Sequence, residues 1–262
     1  MDSILNILLV STILGLSYGQ LIIPHRPLGY IYSGTRDAPV HLDVHMGPLC
    51  PDSAAAFETL KAVATHYGPT NFVLVLHMFP LPYHQQAFLV AKGAQIVKRY
   101  GSGPGGEADA YMWFKHFYNH LSIYSNSVTA DKTTDEVVAM LADIALTLGV
   151  SNTTFMNAMH STEIEVDTRA AWTYSCTRGV ASTPTFFLND IIVEAQSTWT
   201  LNDWEQAIDP LMVGLPRNTQ TCPVGTVKCE YLPGKTECCT QGESCIPNVG
   251  CRCMNAAKCI IV

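Results

Sequence analysis

The stretch Leu42-Asp43-Val44-His45-Met46-Gly47-Pro48-Leu49-Cys50-Pro51-Asp52-Ser53 leaves the backbone few choices. Val40, Leu42 and Val44 alternate with polar residues, which is the period of a half-buried strand. Gly47-Pro48 breaks that strand. Pro51 suits the first position of a helix, where its missing N–H has no partner to lose. Asp52 suits the positive helix N-terminus. Phe57, Leu60, Ala64 and Tyr67 form the apolar stripe of this helix, and Gly68-Pro69 stops it. A strand therefore feeds a helix that carries Cys50 at its mouth.

The remaining periodicities predict an α/β frame. Asn71 to Phe79 is an almost continuous apolar run, as in a central strand covered on both faces. Tyr83 to Tyr100 has helical spacing, and 101–106 reads as a flexible connector of turn residues. Helices are expected over Glu107–Leu121, from Thr133-Thr134-Asp135-Glu136 to Gly149, from Asn152, and over Glu163–Arg178. The aromatics of the first, Trp113 foremost, are expected in the core or lining a groove. Gly179 to Pro184 reads as a loop into a strand, Asn189-Asp190 as a hairpin turn, and Ile191-Ile192-Val193 as the return strand. Leu201 to Met212 reads as a closing helix with Trp204, Ile208 and Leu211 inward. Residues 20–38 have no clear period and are expected to be a lead-in segment.

Ile4 to Leu16 is a short apolar run followed by small residues at Ser17 and Gly19, the pattern of a signal peptide over 1–19. The run is too short to span a membrane and no second one follows, so a secreted or ER-lumenal protein is expected. Two cysteines, Cys50 and Cys176, stand alone in the long front part. The other eight (Cys222, Cys229, Cys238, Cys239, Cys245, Cys251, Cys253 and Cys259) crowd the end. After a signal peptide such density means disulfides. A segment this short cannot bury a sufficient core, so 222–262 is expected to be a small disulfide module joined by a linker, 213–221. It contains no histidine and no Cys-x2-Cys pair, so no metal is expected. Asn152-Thr153-Thr154 is a glycosylation acceptor in a secreted chain. The net charge of −7 excludes the basic footprint of a nucleic-acid binder.

Three local patterns in this order resemble the DsbA-like branch of the thioredoxin superfamily. They are Asp43 through Cys50-Pro51-Asp52-Ser53, then Pro80-Leu81-Pro82-Tyr83-His84, then Gly179-Val180-Ala181-Ser182-Thr183-Pro184-Thr185-Phe186-Phe187. The resemblance implies a thioredoxin-like domain over 39–212 with a helical insertion at about 102–178. It implies that Cys50 is the attacking cysteine and that Pro184 is a cis-proline lying against it. Thr183 is then the residue whose backbone pairs with a bound peptide. Ser53 stands where the family's oxidases have a second cysteine.

A dithiol oxidase needs that second sulfur to release its mixed disulfide. The expected function is therefore thiol–disulfide exchange or isomerisation through one cysteine, on protein or peptide thiols and disulfides. No bound cofactor is expected, with glutathione as the exchange thiol. The helix N-terminus favours a Cys50 thiolate, Ser53 could donate to the sulfur, and Asp52 opposes ionisation. His45 is a candidate base on a strand face not yet assigned, while His77 and His84 read as structural. Cys176 reads first as a buried free cysteine, otherwise as a partner of Cys50 or an intermolecular link. Two other functions stay open. One is a redox-silent extracellular peptide-binding or chaperone-like scaffold that meets a protein partner through its cysteine-rich tail. The other is a glutathione-dependent transferase or isomerase of the kappa-like branch, with Cys50 or Ser53 holding the glutathione sulfur.

Overall fold

The computed structural model describes Pro24 and residues 28–102, 107–213, 227–232, 235–239, 243–246 and 250–253. The expected signal peptide, residues 103–106 of the connector and nearly all of the linker lie outside the described residues.

The front part is a five-stranded sheet in the order β1-β3-β2-β4-β5. Its strands are β1 (Tyr30–Ser33), β2 (Val40–Met46), β3 (Phe72–Met78), β4 (Thr185–Leu188) and β5 (Ile191–Val193). Only β2 and β3 run parallel, with His45 beside His77. Helix α1 (Pro51–Tyr67) connects them. Alternation along β2 sends Val40, Leu42 and Val44 into the main core. Asp43 and His45 therefore point to the other face. Strand β3 is buried along its whole length, as its apolar run predicts.

Helices α2 (Ala87–Tyr100), α3 (Glu107–Asn119), α4 (Asn126–Thr129), α5 (Thr134–Thr147), α6 (Asn152–Met159) and α7 (Thr162–Thr177) stand between β3 and β4. Helix α8 (Leu201–Ile208) follows β5. Trp113 of α3 is fully buried and its indole N–H donates to the Val90 carbonyl of α2 at 3.0 Å. Gly93 permits this approach, because a Cβ there would overlap the Trp113 ring. Lys92 of α2 reaches Glu165 of α7 at 3.1 Å. Thr133 with Glu136 and Thr200 with Asp203 form capping boxes at the starts of α5 and α8.

Several expectations change. Residues 20–38 contain a strand, β1, paired antiparallel with β3. Helix α2 starts at Ala87 rather than Tyr83, because residues 83–86 form turns. The closing helix tightens to a 3-10 turn at Asp209–Met212, where Pro210 has no N–H to continue it. Leu211 is consequently exposed rather than inward. Cys176 is exposed on α7, and both it and Cys50 are free thiols, so the two are neither buried together nor bridged.

In the tail, β6 (Val227–Leu232) pairs with β7 (Lys235–Cys239), and β8 (Glu243–Ile246) with β9 (Gly250–Cys253), both antiparallel. Disulfides Cys229–Cys245 and Cys239–Cys251 join the first hairpin to the second. Cys238 is disulfide-bonded as well. Cys222 and Cys259 lie outside the described residues.

Candidate active site around Cys50

Cys50 is the N-cap of α1, with Pro51 opening the helix. It is 5% exposed and packs with Phe79, Leu81, Val180 and Phe187. Its thiol donates to the backbone carbonyl of Thr183 at 3.4 Å. The Thr183-Pro184 peptide is cis, as the resemblance implies. The Thr183 hydroxyl is buried and has no hydrogen-bond partner. A buried orphan hydroxyl costs free energy that one good acceptor would recover. Gly47 lies under this contact. A Cβ added to it would fall 2.7 Å from the Thr183 Oγ1 and 2.8 Å from the Cys50 Cβ.

Ser53 is fully buried, but its hydroxyl oxygen accepts from the Gly47 N–H at 3.0 Å. The same glycine's carbonyl accepts from the Cys50 N–H at 3.2 Å and from the Tyr118 hydroxyl at 3.2 Å. Both polar groups of Gly47 are thereby fixed, which locks the turn that presents the sulfur. Burial pushes the Tyr118 hydroxyl far above its usual range, and the charge of Cys50 pushes the same way, so the phenol stays protonated. Tyr118 lies in the inserted helix α3. In sequence it reads only as one more aromatic of a core stripe. Asp52 is exposed on the first turn, where Ser197 donates to its carboxylate at 3.4 Å.

His45 lies on the sheet face opposite Val44. Its Nδ1 is 2.8 Å from the Ser175 hydroxyl, and its ring stacks on His77 at 4.6 Å and meets Phe187 edge-on. His77 Nε2 is 2.7 Å from the Asp43 carboxylate. Burial, reinforced by His77, pushes His45 down to about 3, so its ring is neutral near pH 7. Burial acts to raise the Asp43 carboxyl, and the His77 hydrogen bond overrides it and holds it below the usual value. His84 sits on the surface ridge after β3, its N–H bonded to the Leu81 carbonyl. Asn152 is exposed as the first residue of α6. Neither the partners of His45 nor the tie from Ser53 to Gly47 has a signal in the sequence.

A comparison with curated protein sequences found no match. A family model described as thioredoxin matches residues 28–210, most of the chain. Among solved structures, a Pseudomonas syringae protein provisionally assigned as a protein-disulfide isomerase aligns with TM-score 0.59 and 19% identity, over 67% of this chain and 96% of its own. Wolbachia pipientis alpha-DsbA1 aligns with TM-score 0.55 and 16% identity, over 73% and 94%. Chlamydia trachomatis DsbA aligns with TM-score 0.52 and 20% identity, over 72% and 96%. At such identities these neighbours speak to the fold. The chain belongs to the thioredoxin family, and its fold is that of the family's DsbA-like members.

Proposed function

We propose that the protein is a secreted or ER-lumenal thiol–disulfide exchange protein that works through a single cysteine. The Cys50 thiolate attacks a sulfur of a protein or peptide disulfide. The new S–S bond forms as the old one breaks, and the departing sulfur leaves as a thiolate that takes up a proton. An external thiol such as glutathione then attacks the mixed disulfide and frees Cys50. The observation that supports this reading is the placement of the sulfur. It sits at a helix N-terminus, 3.4 Å from the Thr183 carbonyl, beside a buried hydroxyl that lacks a partner. A helix N-terminus stabilises a thiolate, and the Thr183 backbone next to the sulfur could pair with an extended peptide.

Iodoacetamide labelling of the Cys176→Ser protein across pH, with Cys50→Ala added as the control, tests the thiol. Reactivation of scrambled ribonuclease in glutathione buffer tests turnover. Labelling of Cys50 in the native fold, together with turnover that Cys50→Ala abolishes, is the expected result. Absence of native-state labelling refutes the exchange reading. That outcome favours a redox-silent peptide-binding scaffold, a second reading supported by the 5% exposure of Cys50 and by the engagement of Ser53 with Gly47.

A further inference from the structure

A hollow of about 590 Å³ opens near the start of α1, and nothing in the exchange chemistry uses it. Leu49 and Pro51 form one wall, on either side of Cys50 in sequence. Cys50 does not line it, because its side chain packs with Phe79, Leu81, Val180 and Phe187. Tyr83 and His84, from the turns after β3, form a second wall. The third comes from the 3-10 turn Leu121–Tyr124 and the start of α4.

We infer that this hollow is a binding site for neutral carbohydrate. The ligand class follows from what the walls carry and what they lack. No Lys, Arg, Asp or Glu is among the described residues that line it. Burial lowers the His84 imidazole below its ordinary pKa of 6.5, so it too is uncharged near pH 7. An ionic ligand therefore finds no opposite charge there. The polar groups present are neutral and held in place. The Asn126 Oδ1 accepts from the Gln85 N–H at 3.0 Å, and its Nδ2 donates to the Tyr83 carbonyl at 2.8 Å. A carboxamide has two lone pairs and two N–H groups, so one of each is left in a fixed direction. The Ser125 hydroxyl donates to the Ser122 carbonyl at 2.9 Å, which makes Ser127 the donor in their 3.2 Å contact and leaves the Ser127 oxygen as an acceptor. Ser122 adds a hydroxyl at the exposed edge. Beside these groups stands an aromatic wall. Tyr83 is 62% exposed, and its ring meets that of His84 at 5.0 Å. A pyranose ring meets both demands, with C–H groups to lie on an aromatic face and hydroxyls that donate and accept. An apolar side chain would displace water from the serines and the carboxamide without replacing its hydrogen bonds. The volume is that of a small-molecule site. Binding of this kind does not involve the Cys50 sulfur, so the inference stands apart from the exchange function.

Saturation-transfer NMR on the full chain tests this with chitobiose, mannobiose and lactose as neutral probes. Sialyllactose is the charged counterpart of lactose, and a blocked Gly-Leu-Phe-Gly peptide is the apolar control. Saturable binding of at least one neutral probe, with Kd of about 1 mM or tighter, is the expected result. Sialyllactose should bind no better than lactose. Tyr83→Ala removes an exposed ring and should weaken binding at least about threefold. Ser127→Phe fills the hollow from an exposed position and should abolish binding. Trp172→Ser, at an exposed indole of α7 outside this hollow, should leave binding unchanged, and so should Cys50→Ala. Failure of every neutral probe to saturate overturns the inference. Binding that survives both Tyr83→Ala and Ser127→Phe overturns it too, as does a preference for sialyllactose. Transfer to the peptide that Ser127→Phe abolishes, with none to any sugar, assigns the hollow to apolar polypeptide instead. Sugar binding that persists in a chain whose Cys50 performs no exchange leaves the inference intact and counts against the exchange function alone.

Discussion

The sulfur of Cys50 meets the carbonyl oxygen of Thr183 at 3.4 Å across 133 positions of the chain. One residue ends the strand–turn segment that enters α1, and the other ends the loop that enters β4. The contact depends on a small space between them, and Gly47 provides it.

Filling that space is costly. In Gly47→Ala the new methyl meets both Thr183 and Cys50 at under 3 Å, and neither neighbour is the free end of a long side chain. The expected loss is about 1–3 kcal/mol, the usual cost of overpacking. A lower urea midpoint with an unchanged slope is the expected reading. An unshifted midpoint would show that the turn yields freely.

Ser53 is predicted to hold the turn rather than to serve the sulfur. Ser53→Ala leaves the buried Gly47 N–H without its acceptor, which should cost about 1–3 kcal/mol. Ser53→Cys places a second thiol one helical turn from the first. Thiol counting and mass spectrometry should then find an intramolecular disulfide with Cys50 after oxidation. Any mixed disulfide formed at Cys50 should be shorter-lived in Ser53→Cys than in the wild type, because the second sulfur can release it. Persistent mixed disulfides in Ser53→Cys would contradict this.

Thr183→Val removes the buried orphan hydroxyl at similar shape. Thermal or urea unfolding should report a gain of about 1 kcal/mol, since the desolvation penalty disappears with the group. Exchange with peptide disulfides should slow while labelling by a small alkylating agent changes little. If exchange is unaffected, the hydroxyl has no part in holding substrate.

His45 makes stability pH-dependent. Its pKa is about 3 in the folded chain against the ordinary value of 6.5, so the unfolded state binds a proton that the folded state refuses. Stability is then full above about pH 6.5 and declines as pH falls toward about 3, by up to about 1.4 kcal/mol per pH unit. Asp43, held below its usual value in the fold, adds a further loss only in stronger acid. Urea unfolding of wild type and His45→Gln from pH 7 to 4 checks this. The variant should be flatter with pH whatever its absolute stability. Equal slopes would show that His45 does not carry the effect.

Features specified within a few residues were legible in the sequence. The alternation of Val40, Leu42 and Val44 predicts β2, and the Thr133–Glu136 start predicts α5. The Asn189-Asp190 pair turns with positive φ of 46° and 69°, the geometry of a tight hairpin. Strand β1 was not legible. Tyr30–Ser33 is too short to declare a period, and it is a strand because β3 offers it a hydrogen-bonding edge. The exposure of Cys176 was hidden for a related reason. Its neighbour Ser175 points inward to His45, so Cys176 lies on the outer side of α7. Tyr118 shows the same limit, since its helical spacing announces burial but not which loop its hydroxyl will meet.

The sequence alone determined that a strand breaks at Gly47-Pro48, that a helix begins at Pro51, and that Cys50 stands at its mouth with no second sulfur at position 53. Hydrogen bonding and side-chain alternation over a few residues are enough for that. Only the tertiary structure decided that Thr183 covers the sulfur, that Ser53 and Tyr118 are committed to Gly47, and that His45 turns to His77 and Ser175. Those contacts join groups far apart in the chain. They form when the sheet and the inserted helices close around one core, and no local periodicity encodes which partners that closure will bring together.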